Sequence, residues 1–199
     1  MRLLIGDYLL KNILFLFIFM LSFSVTIPCL AMTTLNVAVL PAVNTADYKY
    51  QDDIKIIEDT IRKPFKYPYY SLLPLDRVQL TTQFPTAGNH IKLTDSDTMA
   101  QIANRLSADL VIAVELKRAR MDRVHSVWLD DTYVDSDVII KCYAYSTAAR
   151  KYEVFKAVKY NREPESINTN ADTVFKELTE ELLTKLPYKR IPIEDQKAR

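Results

Sequence analysis

The central strand of the fold is predicted by one stretch of the chain, Ser107-Ala-Asp-Leu-Val-Ile-Ala-Val-Glu-Leu-Lys-Arg118. Leu110 to Leu116 is a nearly unbroken apolar run rich in β-branched side chains, preceded by a helical pattern and followed by charged residues. A run of this length and composition is typical of a strand that is buried on both faces. We therefore expect this stretch to lie in the middle of a sheet.

Two strand–helix units are predicted on the amino-terminal side of this strand. The first has a strand at Leu35–Leu40 and a helix that begins at Asp52. The second has a strand at residues 67–74, where prolines suit a sheet edge, and a helix capped by Thr94 or Asp95. Because strand–helix–strand crossovers are right-handed, the two helices should cover opposite faces of the sheet.

The carboxy-terminal part is predicted to form a hairpin and a helix. Residues 132–145 alternate apolar and polar side chains, which is the pattern of a long strand, and a turn at residues 146–150 leads into a strand at residues 151–160. The core face of the longer strand carries Val134, Val138, Ile140, Cys142 and Ala144. The final helix runs from an Asn170 cap to Pro187.

These elements predict an α/β fold in three layers, α/β/α. Its five-stranded mixed sheet has the order 2-1-3-4-5, numbered along the chain, and strand 4, at residues 132–145, runs antiparallel to the others. The segments 44–50 and 119–131 are polar or charged, so neither is assigned to a strand.

The first 31 residues have the pattern of a secretory signal peptide. Arg2 and Lys11 precede the apolar core Ile13 to Phe23, and Cys29-Leu-Ala31 places small residues where a signal peptidase reads. We expect cleavage after Ala31 and an extracytoplasmic location, which is the periplasm, the cell surface or the medium. This leaves a single domain at residues 32–187 and a flexible charged tail at residues 188–199.

Two other fates of the signal segment stay open, and both would attach the chain to a membrane. Residues 13–32 could serve as an uncleaved anchor. Lipidation at Cys29 is the other alternative, although Pro28 fits poorly beside a modified cysteine. We expect no other contact with a membrane.

Cleavage would leave a neutral chain with a single cysteine. The whole chain carries a net charge of +1, and the removed segment carries Arg2, Asp7 and Lys11, so the mature chain has no net charge. Such a chain offers no electrostatic argument for binding nucleic acid. Cys142 remains without an intramolecular disulfide partner, and its place among apolar residues indicates a small buried side chain rather than a nucleophile.

The glycine and histidine content excludes common enzyme sites. Gly88 is the one glycine of the mature chain, whereas phosphate-binding and dinucleotide-binding loops need several. His90 and His125 lie far apart and cannot form a zinc cluster with one cysteine. The acidic residues at 130–137 lack the glycine and spacing of a calcium loop. We therefore predict no catalytic residue, no cofactor and no metal site, and we expect that the protein is not an enzyme.

A stripe of tyrosines is the candidate site. If the last two strands pair across the turn at residues 146–151, Tyr145 faces Tyr152, Tyr143 faces Val154, and Ile139 faces Val158 on the face opposite Cys142. Tyrosines with a solvent-exposed hydroxyl are typical residues of protein interfaces, so Tyr143, Tyr145 and Tyr152 are predicted to bind a protein. The alternative is that the carboxy-terminal helix covers the stripe and makes it part of the core.

The chain also resembles a known group of proteins. Its element order is strand, helix, strand, helix, three strands, helix, with Val37-Ala-Val-Leu-Pro41, Asn44 and Leu106-Ser-Ala-Asp-Leu-Val-Ile112 at defined places. This is similar to bacterial envelope proteins of the TolB amino-terminal-type fold, such as the curli-secretion protein CsgG and the penicillin-binding-protein activator LpoB. The resemblance spans about residues 35–187, although Ala42 and Ser107 replace the usual aromatic residue and glycine.

The resemblance implies a non-enzymatic accessory module of the cell envelope that binds another envelope protein or a second copy of itself. A subunit of a curli-type secretion assembly is the first alternative, but it needs long amphipathic hairpins, and residues 132–160 supply at most one. A small extracytoplasmic hydrolase is the second, but no nucleophile, base and orienting group stand out together. We therefore expect an interaction module.

Overall fold

The computed structural model describes residues 34–82 and 95–188 of the chain. The strands in these ranges are β1 (Leu35–Val39), β2 (Val43–Asn44), β3 (Tyr70–Leu72), β4 (Leu110–Ser126), β5 (Asp131–Ser146) and β6 (Lys151–Pro164). The helices are α1 (Gln51–Arg62), α2 (Leu75–Thr82), α3 (Ser96–Leu106) and α4 (Ala171–Lys185), with a 3-10 helix at Ile167–Thr169 before α4. The predicted signal segment and the end of the tail lie outside the described residues.

The strands form one mixed sheet, which confirms the α/β class. Its path is β3-β1-β4-β5-β6, and β2 pairs with β4 beside β1. The strands β1, β2 and β3 run parallel to their neighbours, whereas β5 runs antiparallel to both β4 and β6. The prediction of five strands is wrong, because Val43 and Asn44 pair with Glu115 and Leu116 as a sixth strand. Two residues are too few to show an alternating pattern in the sequence.

The helices pack in pairs on the two faces of the sheet. On the α4 face, α1 and α4 cover a core that includes Ile112 and Cys142. On the α3 face, α2 and α3 cover a smaller core that includes Val111 and Tyr143. The helices of the two predicted crossovers, α1 and α3, therefore lie on opposite faces as expected.

The connection from α3 into β4 shows how local sequence positions the central strand. Asp95 caps α3 by accepting hydrogen bonds from the backbone N–H groups of Asp97 and Thr98. Ser107 ends the helix in the left-handed conformation, with φ 52°, where a glycine would be the easier choice. The strand then begins at Leu110 between β1 and β5, and its first seven residues are buried. The central position predicted for this stretch is confirmed.

The strand β4 is much longer than predicted. It includes residues 119–126 of the segment 119–131 and pairs with β5 over that length, so leaving these residues without a strand was wrong. An extra residue, Lys117, shifts the register between Leu116 and Arg118. The pairing gives the backbone its hydrogen bonds without requiring an apolar sequence, because one face of the sheet is open to solvent here. The outer part of β4, β5 and β6 thus forms a three-stranded ribbon.

The predicted Asn170 cap lies at the amino end of α4, but its side chain makes no capping hydrogen bond. The helix is held by packing instead, since Val174, Phe175, Leu178 and Leu182 are buried against the sheet. In the described ranges, no helix has both the length and the apolar character needed to cross a membrane.

Candidate interaction surface

The structure brings the three predicted tyrosines together but does not expose all of them. The predicted pairs Tyr145–Tyr152, Tyr143–Val154 and Ile139–Val158 are present between β5 and β6. The rings of Tyr143 and Tyr152 stack with their centroids 6.5 Å apart. Tyr145 and Tyr152 are half-buried, whereas Tyr143 is 1% exposed.

Tyr143 therefore belongs to the core, and its proposed role as a contact residue is corrected. Its ring lies under the helices of the α3 face, so a partner cannot reach it. The alternative in which the carboxy-terminal helix covers the stripe is also wrong, because α4 lies on the face that carries Cys142. A role for Tyr145 and Tyr152 in binding stays a prediction.

The Tyr143 hydroxyl is held by a buried carboxylate that the sequence analysis did not single out. It donates a 2.5 Å hydrogen bond to Oε2 of Glu115, while Thr45 Oγ1 donates one of 2.7 Å to Oε1. Glu115 is 7% exposed, and the Lys117 ammonium lies 3.5 Å from Oε1. The carboxylate thus links β4 to β5 and to the segment after β2.

The charge of Glu115 is stabilised in this position. Burial acts to raise the pKa of its carboxyl, but the two hydroxyl donors and the Lys117 ammonium outweigh burial and hold the pKa below its usual value. Burial and the bond to Glu115 raise the pKa of Tyr143, which remains a neutral donor. Both carboxylate oxygens of Glu115 are bonded within the protein, which indicates a structural role.

Part of the α3 face beyond the helices is open and forms the first component of the candidate surface. We call it the open face, and its charged members are Arg118, Arg120, Asp122, Asp135, Asp137, Lys141, Lys156 and Arg162. Six of them form three ion pairs: Arg118–Asp137 at 2.9 Å, Arg120–Asp122 at 2.5 Å and Arg162–Asp135 at 2.5 Å. The paired charges neutralise each other, and Lys141 and Lys156 give the face a small positive excess.

The acidic residues of the ribbon do not converge on one point. Asp135 accepts two hydrogen bonds from Arg162, whose guanidinium holds the pKa of that carboxyl below its usual value. In residues 34–82 and 95–188 there is no group of three or more histidine, cysteine or acidic side chains that could hold a metal ion. His125 lies 3.8 Å from Asp130 at the surface.

The turn between β4 and β5 is the second component, and we call Val127, Trp128 and Leu129 the ribbon tip. All three side chains are exposed, and Trp128 is 97% exposed. Single exposed apolar residues are common, but three consecutive ones at the end of a projecting ribbon form a patch. This turn has no role among the sequence-based predictions, although the chain's single tryptophan lies in it.

Cys142 lies on the α4 face and is completely buried. Burial raises the pKa of its thiol to about 12, so the reactive thiolate is scarce at neutral pH. Its predicted place in the core of β5 is confirmed.

Comparison with known proteins identifies similar folds only. No protein-family model and no curated protein sequence matches the chain. Lipoprotein GNA1162 from Neisseria meningitidis is 12% identical, with a TM-score of 0.45 over 76% of this chain and 96% of that one. The PelC dodecamer from Paraburkholderia phytofirmans is 10% identical, with a TM-score of 0.44 over 79% and 90%.

The LpoB carboxy-terminal domain from Escherichia coli is 8% identical, with a TM-score of 0.38 over 65% of this chain and 85% of that one. With TM-scores below 0.5, these likenesses assign neither a family nor a function to the chain. The narrower resemblance to TolB amino-terminal-type proteins and to CsgG stays a prediction.

Proposed function

We propose that the protein is a non-enzymatic accessory module of the bacterial cell envelope that binds another protein through its ribbon tip. The exposed tip is the observation that carries this proposal. A tryptophan and two aliphatic side chains in water lose the stabilisation that burial would give, roughly 25 cal/mol for each Å² of apolar surface. A partner that covers Trp128 and Leu129 would recover this free energy on binding.

The chemistry of the tip suits a protein partner. Aromatic side chains, tryptophan above all, are enriched at the centres of protein interfaces, where they fill pockets. The paired charges of the open face would surround such a contact as a polar rim. Tyr145 and Tyr152, the remaining members of the tyrosine stripe, lie further along the same face of β5 and β6.

The location in the envelope is supported by the amino-terminal sequence. Basic residues, an apolar core and small residues at positions 29 and 31 follow in the order of a signal peptide. A lipoprotein and a dodecamer stand among the similar structures, but export and self-association are proposed here on the chain's own residues.

A membrane-spanning hairpin, which the secretion-subunit alternative needs, finds less support. The ribbon carries charged side chains on both faces, with Arg120 and Asp122 on one and Arg123 on the other. Charged residues on a lipid-facing surface are costly. A hydrolase finds less support as well, because Cys142 is buried and the carboxylates of Glu58, Glu115, Asp135 and Asp137 are held by cations or by hydroxyl and backbone donors.

The experiment is a capture assay with the full chain, tagged at its carboxy terminus and cross-linked in cells of the native host. The double variant Trp128→Ala/Leu129→Ala should lose one defined envelope protein that the parent chain captures. Tyr67→Ala is the matched control, since Tyr67 is an aromatic residue 82% exposed and lies beside β3, at the opposite edge of the sheet. It should capture the same protein as the parent chain.

The captured protein is then purified and titrated against the chain. Because Trp128 is the single tryptophan, its fluorescence reports directly on the tip, and its emission should shift to shorter wavelength as the ring leaves water. An unchanged set of captured proteins in the double variant would overturn the proposal. An unshifted emission at saturation would overturn it equally.

A further inference from the structure

The strand β6 forms one edge of the sheet along its 14 residues. In the described part of the chain, no strand pairs with its outer side. The carbonyl oxygen of Lys156 points outward, because it accepts a 2.6 Å hydrogen bond from Lys185 Nζ of α4. In an antiparallel ladder the direction of the backbone groups alternates, so Val154, Val158 and Tyr160 also present their N–H and C=O groups outward.

The side chains of the same three residues are largely apolar and lie on the open face. Val154 and Val158 are exposed, and Tyr160 is 81% exposed. A long edge strand with free backbone groups and apolar side chains is a template for another strand. The opposite edge differs, because β3 has three residues there.

We propose that a second copy of this chain pairs its β6 antiparallel along this edge, with the two-fold axis at Ala157. In that register Val154 lies opposite Tyr160 of the second copy, and Lys151 lies opposite its Glu163. The two-fold symmetry repeats both pairs. Apolar and opposite-charge pairs of this kind stabilise antiparallel strands.

The charged residues of β6 favour this pairing register over the registers shifted along the strand. An axis at Lys156 places that ammonium opposite its own copy, and an axis at residue 158 places Glu153 opposite Glu163. An axis at residue 155 places Lys151 opposite Lys159. Like charges directly opposite each other destabilise a strand pair, whereas the axis at Ala157 creates none between residues 151 and 163.

Pairing requires one local exchange. Lys185 must release the Lys156 carbonyl, which then accepts from a backbone N–H of the second copy. Lys185 keeps its ion pair with Glu181. This dimer goes beyond the proposed function, because the partner is a second copy of the chain and the surface does not include the ribbon tip.

The test is the oligomeric state of the full chain, measured by analytical ultracentrifugation over a concentration series. The chain should be a dimer that dissociates on dilution. Val158→Pro removes an outward N–H without touching the ladder to β5, so it should abolish the dimer. Val158→Thr keeps the N–H and the β-branched shape, so it should remain dimeric.

A charge exchange tests the register itself. Lys151→Glu and Glu163→Lys should each weaken the dimer by about tenfold, because each places like charges opposite each other twice. The double variant should return to within about threefold of the parent chain. A monomeric parent chain, a dimer that survives Val158→Pro, or a double variant no tighter than the single ones would overturn the proposal. The tip variant Trp128→Ala/Leu129→Ala should leave the dimer intact, so failure of this inference and failure of the proposed function are distinguishable.

Discussion

The hydroxyl of Tyr143 lies 2.5 Å from Oε2 of Glu115, and this hydrogen bond joins β5 to β4 inside the α3 face of the sheet. Both side chains are buried, so neither group can exchange its partner for a water molecule without a cost in free energy. The bond explains how a glutamate is tolerated at the end of an apolar run in the central strand. It also explains why Tyr143 is in the core although its neighbours in the stripe reach the surface.

Removal of the Tyr143 hydroxyl should destabilise the protein without changing its surface. We expect Tyr143→Phe to lower the free energy of unfolding by about 1.5–3 kcal/mol, the usual range for a hydrogen bond to a charged group. Urea denaturation followed by circular dichroism measures the change. Tyr145→Phe is the control, because the hydroxyl of that half-buried ring makes no bond to Glu115 and its loss should be small. Equal losses in the two variants would contradict the role of this bond.

Glu115 should make the stability depend on pH in acid solution. Its folded-state pKa lies below 4.5, the ordinary value for a glutamate carboxyl in the unfolded chain. The folded state therefore binds the proton less readily, and the resulting stabilisation is complete above the unfolded pKa and is lost as pH falls through the folded pKa. We expect Glu115→Gln to flatten the slope of unfolding free energy against pH below about 4.5. A slope that is unchanged would show that other carboxyls produce the acid sensitivity.

The thiol of Cys142 should be unreactive in the folded protein. With a pKa of about 12 and complete burial, it should resist iodoacetamide at pH 8 and react within minutes in denaturant. Mass mapping of the peptide that contains Cys142 distinguishes it from Cys29. Rapid labelling of the folded chain would mean that β5 opens locally.

Ile112 tests the central position of β4. Its side chain is completely buried on the α4 face, so Ile112→Ala should cost about 2–5 kcal/mol through the cavity that it leaves. Val124→Ala, at an exposed position of the same strand, serves as the control and should cost far less. A loss below about 1 kcal/mol for Ile112→Ala would contradict the packing described here.

If the protein is exported and its signal peptide is cleaved, the mature chain should have a defined amino terminus. Mass spectrometry of the protein from its native host should find a chain that begins at Met32, because the small residues before it fit signal peptidase. An intact Met1 in the membrane fraction would support the uncleaved anchor instead.

The sequence predicted those parts of the fold in which the pattern of apolar side chains shows which positions are buried. The alternation in β5 correctly placed Ile140, Cys142 and Ala144 in the core, because every second side chain of a strand lies on the same face of the sheet. The continuous run in β4 was equally informative. The outer half of β4 was not informative, because it is a strand only through its pairing with β5 and its side chains are largely charged or polar.

The candidate site was predicted less well. Alternation correctly placed Tyr143, Tyr145 and Tyr152 on one face, but it cannot say where a helix covers that face. Whether Tyr143 is covered depends on α3, which is far from Tyr143 in the sequence but packs against it in the fold. The exposure of Trp128 could have been predicted from the sequence, because a single tryptophan between two charged segments has no apolar core to pack into.

The extra residue in β4, Lys117, determines which side chains of the ribbon face the solvent. After it, Ala119 and Met121 pack on the α4 face, while Arg118 and Arg120 lie on the open face. If Lys117 instead paired with β5 as a regular member of the strand, the faces of all later side chains would be exchanged, and two guanidinium groups would enter the core beneath α4. The bulge removes Lys117 from the alternation, because Leu116 pairs with Ile140 and Arg118 pairs with the next residue, Ile139. Deletion of this exposed lysine would therefore leave a regular ladder with the same faces, whereas a residue inserted elsewhere in the outer part of β4 would turn arginines toward the core.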